Sequence, residues 1–251
     1  MVSALTDPAS LAAIALALLA GGMLKGALGL GAPVIAVPVM ASFFDVKLAV
    51  ALMVLPNFTT NVWQLRAFGR ARLPGRFPWV FAGAGAFGVG LGTLLLVWLS
   101  SDTLKLILSG AVLAYIGLRL LSPAFALSSA RANRLAAPMG ALGGVLQGAA
   151  GISAPVSVSF LNAMQLSRPV FIPTISLFFA ATTAVQVPLL LAAGVMTPTI
   201  LLIGVTALVP LFLGMRIGGW LAKSISARSF DRLILLMLAA LTIKLSTDAL
   251  L

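Results

Sequence analysis

The sequence predicts an all-α integral membrane protein built from two inverted repeats, each a broken or re-entrant helical hairpin plus three transmembrane helices. Three observations carry this prediction: composition, long apolar runs and an internal duplication. Of the 251 residues, 61% are hydrophobic and only 8% are charged. A soluble domain has about 25% charged residues. So few charges cannot cover a water-facing surface, so apolar side chains must face lipid.

Long apolar runs supply the predicted spans. A spanning helix needs roughly 20 mainly apolar residues. Such runs occupy residues 47–65, 77–99, 103–121, 169–192, 197–222 and 229–250.

Two further stretches, 9–44 and 136–166, are interrupted by Gly-Leu-Gly-Ala-Pro and Gly-Ile-Ser-Ala-Pro. The arms after the interruptions, 33–44 and 155–166, would reach only about 18 Å as helices. The hydrocarbon core is about 30 Å thick. Each stretch is therefore predicted to be a re-entrant hairpin or a pair of broken helices.

An internal repeat defines the domain organisation. Lys25 to Pro33 aligns without a gap on Gln147 to Pro155, and the same offset pairs other polar, glycine and tryptophan residues. These further pairs are Thr60 with Thr182, Gln64 with Gln186, Gly92 with Gly214 and Trp98 with Trp220. A fixed repeat of unlike residue types indicates duplication. The predicted organisation is a first repeat at 1–122, a cytoplasmic linker at 123–134 and a second repeat at 135–251.

Basic residues predict the orientation of the two halves. Arginines and lysines crowd residues 66–76, the central linker and residues 223–232, whereas the connections between these regions carry few or no charges. By the positive-inside rule the three basic regions are cytoplasmic. A hairpin that returns to its own side plus three spans gives an odd number of crossings, so the halves would have opposite orientations, as in many secondary transporters.

Composition also limits which metal sites, cofactors and catalytic groups the chain can contain. The chain has no Cys and no His, and its five acidic residues are all Asp near predicted segment ends. No metal site, cofactor or enzymatic activity is predicted, because the spans lack metal ligands and general bases. The formal net charge of +11 is attributed to topology and anionic lipid headgroups rather than to nucleic acid. The predicted partners are the lipid bilayer and a small anionic substrate, and a homodimer is left open.

The helix interruptions are the first candidate binding elements. Proline suits the first turn of a helix, glycine permits the non-helical backbone before it, and the N–H groups of a new helix attract anions. The alternative is close packing of small residues with proline as a kink. The candidate residues are Gly29, Gly31, Ala32 and Pro33 in the first break and Gly151, Ser153, Ala154 and Pro155 in the second.

Polar side chains inside the apolar segments are the second set. Lys25 is expected near both breaks as a contact for the anion, because a buried ammonium is costly, although it could also reach to the interface. Gln147 occupies the equivalent position in the second half. Arg216 is interpreted as a side chain that reaches the cytoplasmic interface. The remaining candidates for hydrogen bonds to the anion, or for bonds between helices, are Asn57, Thr60, Asn61, Thr182 and Thr183.

The segment Gly26-Ala-Leu-Gly-Leu-Gly-Ala-Pro-Val-Ile-Ala-Val-Pro38 resembles the glycine-rich signature of the TauE/SafE sulfite exporter family. Gly148 to Pro155 resembles its second copy, and Gly214-Met-Arg-Ile-Gly-Gly-Trp-Leu resembles the C-terminal pattern. The resemblance covers nearly the whole chain. It implies transport of sulfite, sulfonates or related sulfur-containing anions across the bacterial inner membrane.

The predicted function is a secondary transporter, an exporter by alternating access, with the anion bound at the midplane between the two helix breaks. Because no carboxylate or His lies deep in a span, export driven by the membrane potential is favoured over a protein-borne proton. Alternatives are an ion-coupled importer or channel-like facilitator of small organic anions, and a non-transporting membrane assembly subunit.

Overall fold

The computed structural model describes residues 7–29, 31–121, 126–221 and 227–250. These residues form eleven α-helices and one short 3-10 turn at Gly69–Ala71. The first half contains α1 (Pro8–Leu28), α2 (Pro33–Ala41), α3 (Val46–Phe68), α4 (Phe77–Trp98) and α5 (Ser101–Leu121). The second half contains α6 (Ser129–Ala150), α7 (Ser157–Ala163), α8 (Arg168–Ala192), α9 (Pro198–Thr206), α10 (Leu208–Leu221) and α11 (Ala227–Leu250).

The prediction of an all-helical membrane protein is confirmed. Six helical segments within the described residues are long and apolar enough to cross a membrane. Five of them coincide with predicted spans, and the sixth is α1, whose 21 residues reach about 31 Å. The run 197–222 is divided into α9 and α10 by a turn at Ala207, and the run 229–250 folds as α11.

Both predicted interruptions are real breaks in the helices, with two corrections. Pro33 begins α2, as proline at a first helical turn should. Pro155 does not begin a helix: residues 154–156 form a turn and α7 starts at Ser157. The short arms are also shorter than predicted, with 9 residues in α2 and 7 in α7. The predicted length of about 12 residues ignored the turns that end each arm before the next long helix.

The two halves pack through crossed pairs of helices. α1 packs on α10, where a methyl group on Gly26 would clash with the backbone of Met215. α4 packs on α6, where a methyl group on Gly148 would clash with the backbone of Val89 and Thr93. Gly26 and Gly148 are equivalent positions of the repeat. Each half therefore packs its first arm on the third long helix of the other half, and the two contacts use equivalent glycines.

The directions of these pairs follow from the same contacts. Gly214 faces the carbonyl of Leu19 and Gly218 that of Met23, so α1 and α10 are parallel. α4 and α6 are parallel for the same reason, since successive glycines of α6 face successive turns of α4. α10 runs towards the level of loop 66–76, because Phe68 and Arg216 line one cavity, whereas α4 starts beside that loop. The first arms α1 and α6 therefore run in opposite directions, while the assignment of inverted repeats across a bilayer stays a prediction.

The segment predicted as a linker is partly helical. The helix α6 begins at Ser129, so the second half of the predicted linker forms its first turn, and residues 123–125 lie outside the described residues. The N–H of Leu127 donates to the carbonyl of Ala163 at 2.7 Å. The second hairpin thus returns to the level at which it begins, which is the behaviour expected of a re-entrant element.

Candidate functional site

Lys25 is the most deeply buried charged side chain of the described residues. It lies in the last turn of α1, four residues before the break at Gly29, and only 1% of its surface is exposed. Its Nζ donates to Oδ1 of Asn61 at 2.8 Å and lies 6.0 Å from the centre of the Phe179 ring. No described carboxylate lies within ion-pair distance of it. An ammonium has three donors, so Lys25 retains capacity to bind an anion.

A chain of hydrogen bonds leads from Lys25 into the second half. Nδ2 of Asn61 donates to Oδ1 of Asn57 at 2.8 Å, and Nδ2 of Asn57 donates to Oγ1 of Thr183 at 3.3 Å. The Thr183 hydroxyl donates to the carbonyl of Phe179 at 2.6 Å. Each group donates away from Lys25, so the chain fixes which amide oxygen faces the ammonium. Four of the predicted site residues from both halves thus form one network.

Beside Lys25 lies a cavity of about 610 Å³, which we call the basic cavity. It combines three cationic side chains with apolar and aromatic walls. Nη2 of Arg168 donates to the carbonyl of Gly26 at 3.0 Å, which holds this arginine over the end of α1. The lining residues are Lys25, Gly26, Trp63, Gln64, Phe68, Arg168, Ile172, Phe212, Leu213, Met215, Arg216 and Gly219.

Two of these cations were not predicted to belong to the site. Arg168 stands at the start of α8, where sequence alone suggests only a helix terminus near the surface. Arg216 is exposed and also lines the basic cavity, whereas the sequence pattern predicts only an interfacial position for it. Both arginines enter the site through packing of α8 and α10 around the end of α1, which the sequence by itself does not reveal.

The two breaks meet at a second, much tighter space, which we call the inter-break gap. It admits no water-sized sphere. The side-chain oxygens of Gln147 and Gln186 are buried and have no hydrogen-bond partner, while Nε2 of Gln186 donates to the carbonyl of Gly148 at 3.4 Å. The gap is lined by Pro33, Val50, Met53, Val54, Asn57, Gln147, Gly151 and Gln186.

Glycine is required at both breaks. Gly29 and Gly151 adopt left-handed conformations, with φ of 74° and 70°, which other residues rarely adopt. Gly31 is not left-handed; there a Cβ would lie 3.2 Å from the Phe179 ring, so its small size is what the packing uses. Ala32, Pro33, Ala154 and Pro155 are buried around the breaks.

The remaining predicted residues bond locally. The Ser153 and Ser157 hydroxyls lie 2.8 Å apart within the second break. The hydroxyls of Thr60 and Thr182 donate to carbonyls of their own helices. The described contacts bring Lys25 to the first break and not to the second, where Asn57 and Asn61 intervene.

Comparison with known proteins identifies a family. The model of the family described as Sulfite exporter TauE/SafE matches residues 13–245 of this chain. No curated protein and no solved structure matches it.

Proposed function

Because the chain belongs to the TauE/SafE sulfite exporter family, which implies a membrane transporter of sulfite or related anions, we propose that it exports a small sulfur-containing anion. Sulfite and organosulfonates are the proposed substrates. The proposed location is a bacterial inner membrane, and the proposed binding site is the basic cavity with Lys25 at its inner end.

The observation that carries this proposal is the charge of the basic cavity. Lys25, Arg168 and Arg216 line it, and none of its described lining residues is acidic. The planar guanidinium groups match the oxygen pairs of sulfite and sulfonate, and Lys25 acts as a point charge. The apolar walls formed by Ile172, Phe212 and their neighbours suit the short carbon chain of an organosulfonate.

This placement revises the predicted midplane position between the breaks. The inter-break gap admits no water-sized sphere, and its unpartnered groups are amide oxygens. Oxygen acceptors repel an anion and offer it no hydrogen bond. The basic cavity has the volume and the donors that the gap lacks, which supports a binding site beside the first break.

For the transport cycle we propose alternating access between inverted repeats. The opposite directions of α1 and α6 support this arrangement, as do the crossed glycine contacts. The basic cavity lies at the ends of α3 and α10, which lead into the basic regions 66–76 and 223–232. With those regions cytoplasmic, the cavity faces the compartment from which an exporter loads.

Binding of anions to purified protein tests the site. Melting temperature and calorimetry with sulfite, thiosulfate, sulfoacetate, taurine and simple carboxylates rank the candidate substrates. In Lys25→Met we expect the affinity to fall by about 1.5–3 kcal/mol, since a hydrogen bond to a charged group is lost. Lys244→Met, which removes an exposed lysine at the other end of the molecule, is the matched control. Equal anion affinity in wild type and Lys25→Met would show that the basic cavity is not the binding site.

Direction is tested in proteoliposomes with an imposed potassium diffusion potential and no proton or sodium gradient. The anion is expected to move towards the positive side, driven by about 2.3 kcal/mol per charge per 100 mV. Transport that ignores the potential and follows an ion gradient would contradict potential-driven export and favour the ion-coupled importer.

A further inference from the structure

Equivalent positions of the two breaks differ in their side chains and in the hydrogen-bond partners of those side chains. Lys25 and Gln64 in the first half correspond to Gln147 and Gln186 in the second. In the first half the ammonium of Lys25 lies beside the break, and Oε1 of Gln64 accepts from the Ser176 hydroxyl at 2.9 Å. In the second half Gln147 stands at the position of Lys25, and Oε1 of both glutamines is buried without a partner. Polar groups of this kind are normally satisfied.

The unpartnered groups in the second half require a positive charge or a donor. Gln186 is held by its Nε2 bond to Gly148, which leaves its oxygen available in the gap. Gln147 lies in the last turn of α6, where the carbonyl end of the helix carries a partial negative charge. None of the residues lining the gap is charged. Two unpartnered oxygens and a helix C-terminus thus border a gap whose described lining holds no fixed cation.

We propose that the inter-break gap binds a sodium ion through Oε1 of Gln147 and Oε1 of Gln186, in the role that the Lys25 ammonium has in the first break. The size of the gap selects among cations. It admits no water-sized sphere, so a small bare ion fits it better than a hydrated one. A potassium ion is about as large as water, whereas a sodium ion is smaller. Oxygen ligands beside helix ends are the groups that hold sodium in membrane transporters.

The sodium site is connected to the proposed anion site. Asn57 lines the gap, and Asn61 joins it to Lys25. Whether sodium is carried with the anion rests on the proposed function, but the binding itself does not. The two are therefore measured separately.

Sodium binding is tested on purified full-length protein without any sulfur-containing anion. Melting temperature is measured in sodium, potassium and choline chloride at equal ionic strength. We expect a saturable rise with sodium, as for any ligand of the native state, a smaller rise with potassium and none with choline. Equal melting temperatures in the three salts would overturn the proposal.

Three variants make the test specific. Gln186→Leu should lose the sodium response, and Asn162→Ala, which alters an exposed amide of α7, should keep it. Gln147→Lys should also lose the response while melting in choline at least as high as the wild type does, because its ammonium replaces the ion. A sodium response that persists in Gln147→Lys overturns the site even if Gln186→Leu does not fold. Lys25→Met should keep the sodium response and lose anion affinity, which separates failure of the anion site from failure of the sodium site.

Discussion

The first break, at Gly29, and the second, at Gly151, begin with the same backbone geometry. In both, a left-handed glycine ends a long helix, and its N–H donates to the carbonyl four residues earlier, at 2.9 Å to Lys25 and 3.0 Å to Gln147. Both first arms pack through glycines against a helix of the other half. The two breaks therefore share the way in which the first arm ends and packs, and they differ in the segment that follows, where a turn at 154–156 precedes α7.

The side chains at the two breaks differ in charge. The first presents a buried ammonium to a cavity of about 610 Å³. The second presents two unpartnered amide oxygens to a gap without room for water. One scaffold therefore offers a donor-rich site and an acceptor-rich site, joined by Asn57 and Asn61. Equivalent positions of the repeat can therefore present opposite polarity, because lysine offers donors where glutamine offers an amide oxygen.

The largest effect on anion affinity is expected when the first break is changed to resemble the second. Lys25→Gln removes the ammonium but keeps a polar side chain, and we expect anion affinity to fall by about 1.5–3 kcal/mol, roughly 10–150-fold. Calorimetry with the best-binding anion measures the change. Lys47→Gln, whose lysine bonds to the carbonyl of Val97 far from the cavity, should bind like the wild type. An unchanged anion affinity in Lys25→Gln would show that the charge of Lys25 does not distinguish the first break from the second.

The equivalence of the scaffolds is tested by paired glycine substitutions. Gly26→Ala and Gly148→Ala should each lower the free energy of unfolding by about 1–3 kcal/mol, because the added methyl group meets backbone of the facing helix. Unfolding of the detergent-solubilised protein provides the measurement. Gly83→Ala, which meets nothing within 4 Å, should instead stabilise α4 by about 0.5–1 kcal/mol. If only one of Gly26→Ala and Gly148→Ala destabilises the protein, the two halves pack differently.

The hydrogen bond between Asn57 and Thr183, which joins the two halves, should contribute less to the free energy of unfolding. Thr183→Val removes the acceptor for Asn57 and the donor to Phe179, and we expect a loss of about 0.5–1.5 kcal/mol in stability. Thr206→Val, an exposed threonine that bonds only within its own helix, serves as the control in the same unfolding measurement. If both variants unfold alike, the bond between Asn57 and Thr183 does not couple the halves.

The smallest effect is expected at the rim of the basic cavity. Arg216 is exposed, so water and salt screen its charge. We expect Arg216→Ala to weaken anion binding by about 0.2–1 kcal/mol at low salt and by less at high salt. Arg70→Ala, which removes an exposed arginine outside the cavity, should have no such effect. If Arg216→Ala loses as much anion affinity as Lys25→Gln does, the centre of the binding site lies at the rim of the cavity.

Local patterns in the sequence determined the membrane character, the helices and the breaks. Apolar run length, glycine conformational freedom and proline at a first helical turn act within a few residues. The positions of Gly29, Gly151 and Pro33 therefore follow from the chain itself. The short helix after the second break did not follow, because the turn at 154–156 moves its start past Pro155.

Only the tertiary structure decided which side chains share a site. Arg168 reaches the carbonyl of Gly26, and Arg216 lies across the same cavity, because α8 and α10 pack around the end of α1. The placement of Gln147 and Gln186 around one narrow gap is equally non-local. Their identities are visible in the repeat, but the absence of partners depends on every neighbour in the packed core. Local chemistry fixed where the helices break, and packing between the halves decided which side chains each break presents.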